Sequence, residues 1–127
     1  MFKVQIMTPL GENKELETSI LNVRTTTGDI GILSNHMPLV AMLQISMMTT
    51  TEADGRHRYA LAGGVLYFAN NVATILTDAV ERSDEIDLER AQKAKERAEK
   101  ALKEPSSDIK KAEIALRRAL NRIDVAS

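Results

Sequence analysis

The spacing of apolar residues changes near Glu85, and this change constrains the fold more than any other feature of the sequence. Before it, short runs such as FKVQIM at residues 2–7 alternate apolar and polar side chains. After it, apolar residues recur every three or four positions, as Ala91, Ala94 and Ala98 do. A period of two is typical of strands, and a period near 3.6 is typical of helices. The sequence therefore predicts a β domain over residues 1–84 and a helical domain over residues 85–127.

The β domain contains a series of short candidate strands. They are residues 2–7, 16–19, 21–26, 43–51, 56–61, 64–69 and 72–77. Asp54-Gly55 and Asn70-Asn71 stand between runs at the spacing of hairpin turns. Many short strands with frequent turns favour a β-sandwich or a flattened barrel.

Two helices are predicted after residue 85, separated by residues 105–108. Pro105 ends the first helix, because the residue before a proline disfavours helical backbone, and Ser107 or Asp108 can cap the second. The short connection predicts an antiparallel hairpin, so the fold class is α+β: an all-β sandwich followed by a two-helix hairpin. Alanines at the seam bury little apolar area, and isolated helices of this length are marginal in water. We therefore expect a hairpin that can be opened.

Composition excludes several classes of function. The chain has 127 residues, no Cys and a net charge of −1, with 11 basic and 9 acidic residues after residue 84. The excess of basic over acidic residues after residue 84 is too small for general nucleic-acid binding. The start of the chain lacks the apolar core of a signal peptide, and the most apolar run, residues 39–48, is too short to span a bilayer. We expect a soluble chain that can still belong to a membrane-bound assembly.

Independent catalysis is not expected. His36 and His57 each lack a second His at ligand spacing, so a surface or packing role suits both better than catalysis, and no metal site is predicted. The segment GDIG at residues 28–31 lacks the Lys-Ser/Thr of a phosphate-binding P-loop. A nucleotide site in this chain would be of another, non-hydrolytic kind.

Four arginines lack the helical acid partners that most other charges of the hairpin have. Arg97, Arg118 and Arg122 have no acid three or four positions away, and Arg90 has only Asp87. An antiparallel hairpin would place all four arginines at similar positions along the two helices, beside the Ala/Leu seam. Two interpretations remain: side chains spread into solvent, which spacing alone slightly favours, or a site for a polyphosphate, which Arg binds in a bidentate manner.

The order of these segments resembles the epsilon subunit of the bacterial rotary proton-translocating ATP synthase. The resemblance is carried by Gly28-Asp29-Ile30-Gly31-Ile32-Leu33 with His36 and Pro38, by Ala62-Gly63-Gly64 before residues 72–76, and by the arginine-flanked end of the hairpin at residues 118–122. It covers the whole chain. It implies a β-sandwich followed by a helical hairpin in a non-catalytic subunit of the central stalk.

The resemblance also implies partners and a location. The chain would bind the gamma subunit and rest on the ring of c subunits at the cytoplasmic face of the bacterial membrane, touching the membrane only through the complex. With its hairpin extended it would reach the alpha and beta catalytic subunits. The implied contact loop to the c-ring and gamma comprises Asp29, Ile30, Gly31, Ile32, Leu33, His36 and Pro38. Its role would be to couple rotation to ATP synthesis and to inhibit ATP hydrolysis.

Many members of this family bind ATP as a regulatory ligand through a motif of Ile or Leu, Asp, any two residues, Arg and Ala. Residues 86–91, IDLERA, match that motif. The implied ATP-binding residues are Glu81, Ile86, Asp87, Arg90, Ala91, Arg97, Arg118 and Arg122. ATP would hold the hairpin folded without being hydrolysed, and the role of Mg²⁺ stays open.

Departures from the common family pattern are an acidic segment at residues 12–17 and Pro105 at the helix turn. The main alternative is a β-sandwich binding module whose basic helices grip RNA or an acidic protein, although aromatic residues for base stacking are few. A small nucleotide-hydrolysing enzyme is a second alternative.

Overall fold

The computed structural model describes residues 1–105 and 108–127. These residues divide into two compact units, Met1–Arg82 and Ser83–Ser127. The first unit contains the strands and the second contains a 3₁₀ turn and two helices. The predicted α+β fold class is confirmed.

The first unit is built from eight strands hydrogen-bonded into one sheet. Their bounds are β1 Phe2–Met7, β2 Asn13–Thr18, β3 Ile20–Thr25, β4 Gly28–Leu33, β5 Leu39–Glu52, β6 Gly55–Ala69, β7 Val72–Leu76 and β8 Val80–Arg82. The order is β2-β1-β7-β6-β5-β3-β4, and β8 pairs with β6. Strands β1 and β7 run parallel, whereas the other pairs are antiparallel.

The first part of the predicted contact loop, Asp29 to Leu33, lies in strand β4, whereas His36 and Pro38 follow that strand. Strand β4 pairs with β3 from Thr25↔Gly28 to Ile20↔Leu33, across a turn at residues 26–27. Gly28 serves the turn with a φ of 132°, and Ile32 is fully buried in the core. The period-two placement of Ile30 and Ile32 was the signal for a strand.

Strand β6 is continuous, whereas the sequence predicted two strands that stop and start around Ala62-Gly63-Gly64. Gly63 and Gly64 have φ values of 83° and 128°, a conformation that glycine adopts without a steric penalty. The side of β6 that faces the core changes there, from Tyr59 and Leu61 to Leu66. Glycine in a strand interior marks such bends, so these residues redirect the strand instead of ending it. Short strand β8 was not predicted.

The core of the sandwich is formed by the inward-facing residues of β1 and of β3 to β8. Val4 and Ile6 are fully buried, as their alternation with polar residues predicts. Phe2 and Phe68 meet edge to face with ring centroids 5.4 Å apart, a favoured aromatic geometry. This packing fixes which side of each outer strand is left exposed.

The second unit is a helical hairpin that begins with a 3₁₀ turn, Ser83–Glu85. Helices α1 and α2 span Leu88–Leu102 and Ile109–Ala126 and pack on each other. Asp108 caps α2 by accepting a hydrogen bond from the backbone N–H of Lys111. The other proposed cap, Ser107, lies outside the described residues. Within residues 1–105 and 108–127, no helix is long and apolar enough to cross a membrane.

Small side chains form the seam between the two helices. Ala91 and Ala98 are buried on α1, and Ala112 and Ala119 on α2, in each case seven residues apart. A seven-residue repeat keeps both alanines on the same helix face. An alanine buries far less area than a leucine, so the packing energy of this seam is small for its length.

Candidate ligand site and contact surfaces

The segment IDLERA at residues 86–91 starts helix α1. The Asp87 Oδ1 accepts a hydrogen bond of 3.1 Å from the backbone N–H of Arg90, and the Asp87 carbonyl accepts one of 3.0 Å from Ala91. Ala91 is fully buried in the seam, and Ile86 is half-buried. Asp87 is therefore a helix cap and Ala91 a seam residue, and together they set the rotation of α1 so that Arg90 lies on its exposed side.

The exposed side of α1 carries an open cationic depression of about 560 Å³. Its lining residues are Arg90, Lys93, Glu96, Arg97 and Lys100. The structure thus brings two of the predicted arginines into one site, together with two lysines that the sequence analysis did not single out. Lys93 forms a 3.5 Å ion pair with Glu89, but both groups are exposed, and exposed ion pairs contribute little to stability. Four cations and one acid at one surface favour an anionic ligand.

Arg118 and Arg122 lie four residues apart on α2 and are both half-buried. The Nε atom of each is buried. They therefore share one face of α2, as their spacing predicted. Glu81, the remaining residue of the predicted ATP set, lies half-buried in β8 of the sandwich.

Residues of the predicted c-ring and gamma segment differ widely in exposure. Asp29 is exposed and pairs with Arg24 at 2.9 Å, and Leu33 is 57% exposed. His36 is half-buried, with its ring edge to face against Phe68 at 5.9 Å. Three further members, Ile30, Gly31 and Pro38, are half-buried or exposed, whereas Ile32 is fully buried. Several groups of this segment are therefore available for contacts, but the Ile32 side chain is not.

An exposed apolar surface on the sandwich, here called the apolar face, was not predicted from the sequence. Its members come from neighbouring strands β1, β7, β6 and β5. They are Met7, Leu76, Val65, Met42, Tyr67 and Val40, joined through the pairs Met7↔Leu76, Leu76↔Val65, Val65↔Met42 and Tyr67↔Val40. Met42 is 56% exposed and Val40 is 64% exposed. Contiguous exposed apolar groups mark an interaction surface.

A depression of about 360 Å³ adjoins the apolar face and shares Met7 and Leu76 with it. Gly64 lines its floor, where a Cβ atom would collide with the carbonyl group of Leu76. The site has no cluster of catalytic groups along its described lining. Its apolar walls suit the side chain of a bound protein.

A β-sandwich with an exposed apolar face, followed by a capped hairpin with a cationic surface, defines a two-domain binding and assembly protein. Two family profiles divide the chain between them: "ATP synthase, Delta/Epsilon chain, beta-sandwich domain" matches residues 1–83, and "ATP synthase, Delta/Epsilon chain, long alpha-helix domain" matches residues 84–127. The chain belongs to the ATP synthase delta/epsilon chain family. It is a non-catalytic subunit of the central stalk of the F-type ATP synthase, as the sequence predicted.

Individual relatives extend over almost the whole chain. It is 45% identical to an ATP synthase epsilon chain of Lactobacillus helveticus, covering 98% of this chain and 92% of the relative. It is 40% identical to that of Bacillus pumilus, covering 98% and 95%.

Solved structures share the fold at lower identity. A chain of the Euglena gracilis mitochondrial ATP synthase, solved as OSCP/F1/c-ring, matches with a TM-score of 0.73 and 22% identity over 93% of this chain and 76% of that one. A chain of the central stalk and c-ring of the Tetrahymena thermophila mitochondrial ATP synthase matches with a TM-score of 0.59 and 16% identity over 98% and 96%.

Proposed function

We propose that this stalk subunit senses ATP through its helical hairpin, and that bound ATP holds the hairpin folded and so relieves inhibition of ATP hydrolysis. The observation that carries this proposal is the cationic depression on α1, which contains Arg90 and Arg97. Arginine binds phosphate oxygens in a bidentate manner. Arg118 and Arg122, on the partner helix of the same hairpin, supply the second set of cations.

The alanine seam makes such regulation energetically feasible. A ligand present at a hundred times its dissociation constant stabilises the state that binds it by about 2.7 kcal/mol. A hairpin held mainly by small residues such as Ala98 and Ala112 is weak enough to respond to that amount. When ATP is scarce, the helices separate and extend toward the alpha and beta subunits, where they block hydrolysis.

Calorimetric titration of the chain with ATP tests the ligand proposal. Arg90→Ala and Arg118→Ala should each weaken ATP binding by about tenfold or more, because a hydrogen bond to a charged group contributes about 1.5–3 kcal/mol. Arg117→Ala is the matched control: Arg117 is exposed, and Glu113 precedes it by one helical turn. Absence of binding at millimolar ATP, or equal loss in the control, would remove the ATP proposal and leave the stalk assignment intact.

The apolar face of the sandwich is proposed to bind the gamma subunit. Its exposed residues lie on four adjacent strands, and an apolar surface of this kind on a stalk subunit suits a permanent rather than a transient partner. The adjoining depression beside Met7 and Leu76 offers a recess for an apolar side chain of gamma.

Co-purification with gamma tests this surface. Met42→Asp should weaken the complex by about tenfold or more, because a charge would be buried against apolar groups. Leu10→Asp is the control: Leu10 is 89% exposed in the turn after β1 and is not among the residues of the apolar face. If both variants retain gamma equally, gamma binds elsewhere.

The exposed end of the sandwich around Leu33 and Met37 is proposed to rest on the c-ring, at the cytoplasmic face of the bacterial membrane. Met37 is 72% exposed, and Asn35 ties this segment to the turn between β6 and β7 by donating its backbone N–H to the Asn71 Oδ1 at 2.7 Å. Leu33→Asp should lower proton-driven ATP synthesis in reconstituted vesicles while gamma still binds. Unchanged synthesis would argue against this contact.

A further inference from the structure

The hairpin that joins β5 to β6 brings together three side chains able to bind a metal. They are Glu52 at the end of β5, Asp54 in the turn and His57 near the start of β6. One ligand atom from each lies within 4.8 Å of the others. His57 Nε2 is 2.8 Å from Asp54 Oδ1, and the His57 side chain is only 20% exposed. The two-strand hairpin thus presents one imidazole and two carboxylates from a span of six residues.

A layer of buried donors fixes the Glu52 carboxylate. Its Oε2 accepts a hydrogen bond of 2.6 Å from the Thr50 hydroxyl and one of 2.7 Å from the Tyr59 hydroxyl. Thr50 and Tyr59 are 1% and 3% exposed. Hydrogen-bond donors that do not themselves bind the metal orient the carboxylates that do. An ordinary surface acid lacks such support.

Charges around the site act in both directions. The carboxylates of Glu52 and Asp54 lie beside the His57 ring and attract a divalent cation. Arg82 of β8 lies opposite Tyr59 of β6 in the strand pairing and brings one positive charge toward the carboxylates, which limits the affinity.

We propose that Glu52, Asp54 and His57 form a binding site for a divalent transition-metal ion, with Zn²⁺ as the best fit. Mixed imidazole and carboxylate ligands suit Zn²⁺, whereas Ca²⁺ and Mg²⁺ prefer oxygen ligands alone. Metal binding would require His57 to give up the Nε2 proton that it donates to Asp54, to hold its remaining proton on Nδ1, and to offer the Nε2 lone pair to the metal. A water molecule would complete four-coordination. No metal site was predicted from the sequence, because neither histidine has a second histidine at ligand spacing.

Competition between the whole chain and a chromophoric chelator tests this site, after treatment with EDTA and in phosphate-free buffer. The chain should bind one Zn²⁺ with micromolar affinity and should bind Ca²⁺ and Mg²⁺ far more weakly. His57→Gln and Asp54→Asn should each weaken Zn²⁺ binding by about tenfold or more, in line with the cost of disturbing a metal shell. His36→Gln is the matched control, because His36 is the other histidine of the chain and lies in a different turn.

Thermal unfolding without metal establishes that each variant is folded before its affinity is compared. Co²⁺ in place of Zn²⁺ should give the visible absorption of a low-coordinate site in the native chain and in His36→Gln, but not in His57→Gln. No Zn²⁺ binding at micromolar concentration by the native chain overturns the proposal. Undiminished binding by folded His57→Gln, or loss of binding in His36→Gln, overturns it as well.

Discussion

Substitution of Asp87 separates the structural role of the IDLERA motif from a role in ligand binding. Asp87→Ala removes the hydrogen bond to the Arg90 backbone, and loss of an N-cap costs about 1 kcal/mol. Since 1.4 kcal/mol corresponds to a factor of ten, the ratio of folded to open hairpin should fall by about fivefold. If about half of the hairpins are folded without ligand, the apparent dissociation constant for ATP should rise about threefold.

The cap can be restored without restoring the charge. Serine is as good an N-cap as aspartate, so Asp87→Ser should recover both the helix content and the ATP affinity that Asp87→Ala loses. Far-UV circular dichroism of the chain during urea titration measures the first quantity, and calorimetric titration measures the second. The sandwich transition should be the same in both variants, since Asp87 belongs to the second unit.

Two outcomes would refute this reasoning. If Asp87→Ser regains helix content but binds ATP as weakly as Asp87→Ala, the carboxylate itself contacts the ligand and capping does not explain the motif. If neither variant alters helix content, the cap contributes less than assumed, and the argument from a marginal hairpin fails with it.

Three further predictions concern the packing of each unit. Gly64→Ala should destabilise the sandwich by about 3 kcal/mol, because a Cβ atom there would meet the backbone of the neighbouring strand and because φ is positive. In the control Gly55→Ala the Cβ atom points into open space, so the cost should be about 1 kcal/mol. Equal losses of stability in urea unfolding would contradict the clash. Ala119→Leu should loosen the hairpin by about 1–3 kcal/mol through overpacking, while exposed Ala115→Leu should not; equal helix loss on heating would argue against the seam. Because the pKa of Tyr59 is raised in the folded chain, its protonated form stabilises the fold below pH about 10, the ordinary pKa of tyrosine, and this stability is lost as pH rises further. NMR of the labelled ring should show ionisation at higher pH in the folded chain than in urea. Coincident titration curves would contradict the burial of the Tyr59 hydroxyl.

Elements with regular local patterns could be predicted from the sequence. The alternation of Val4 and Ile6 marks β1, and the two helices follow from Ala spacing and from caps such as Asp108. These features depend on neighbours within one turn or one strand. Gly63 and Gly64 misled the prediction of β6, because glycine supports a bend within a strand as readily as a loop.

Surfaces assembled from distant strands could not be predicted in the same way. Met42 and Leu76 become neighbours of Val65 only through the register of three strands, which alternation alone does not specify. Lys93 and Lys100 of the cationic depression were missed for a different reason. Each follows an acid by four residues, and this local pairing concealed that they share a face with Arg90.

Hydrogen exchange of the hairpin amides, with and without ATP, tests the central claim most directly. ATP at a hundred times its dissociation constant should slow exchange in α2, for example at Ala112 and Ala119, by about a hundredfold, because protection follows the free energy of local opening. Core amides of the sandwich such as Ile75 should not change. Unaltered α2 exchange at saturating ATP would contradict the account, since a ligand that leaves the hairpin equilibrium unchanged cannot regulate through it.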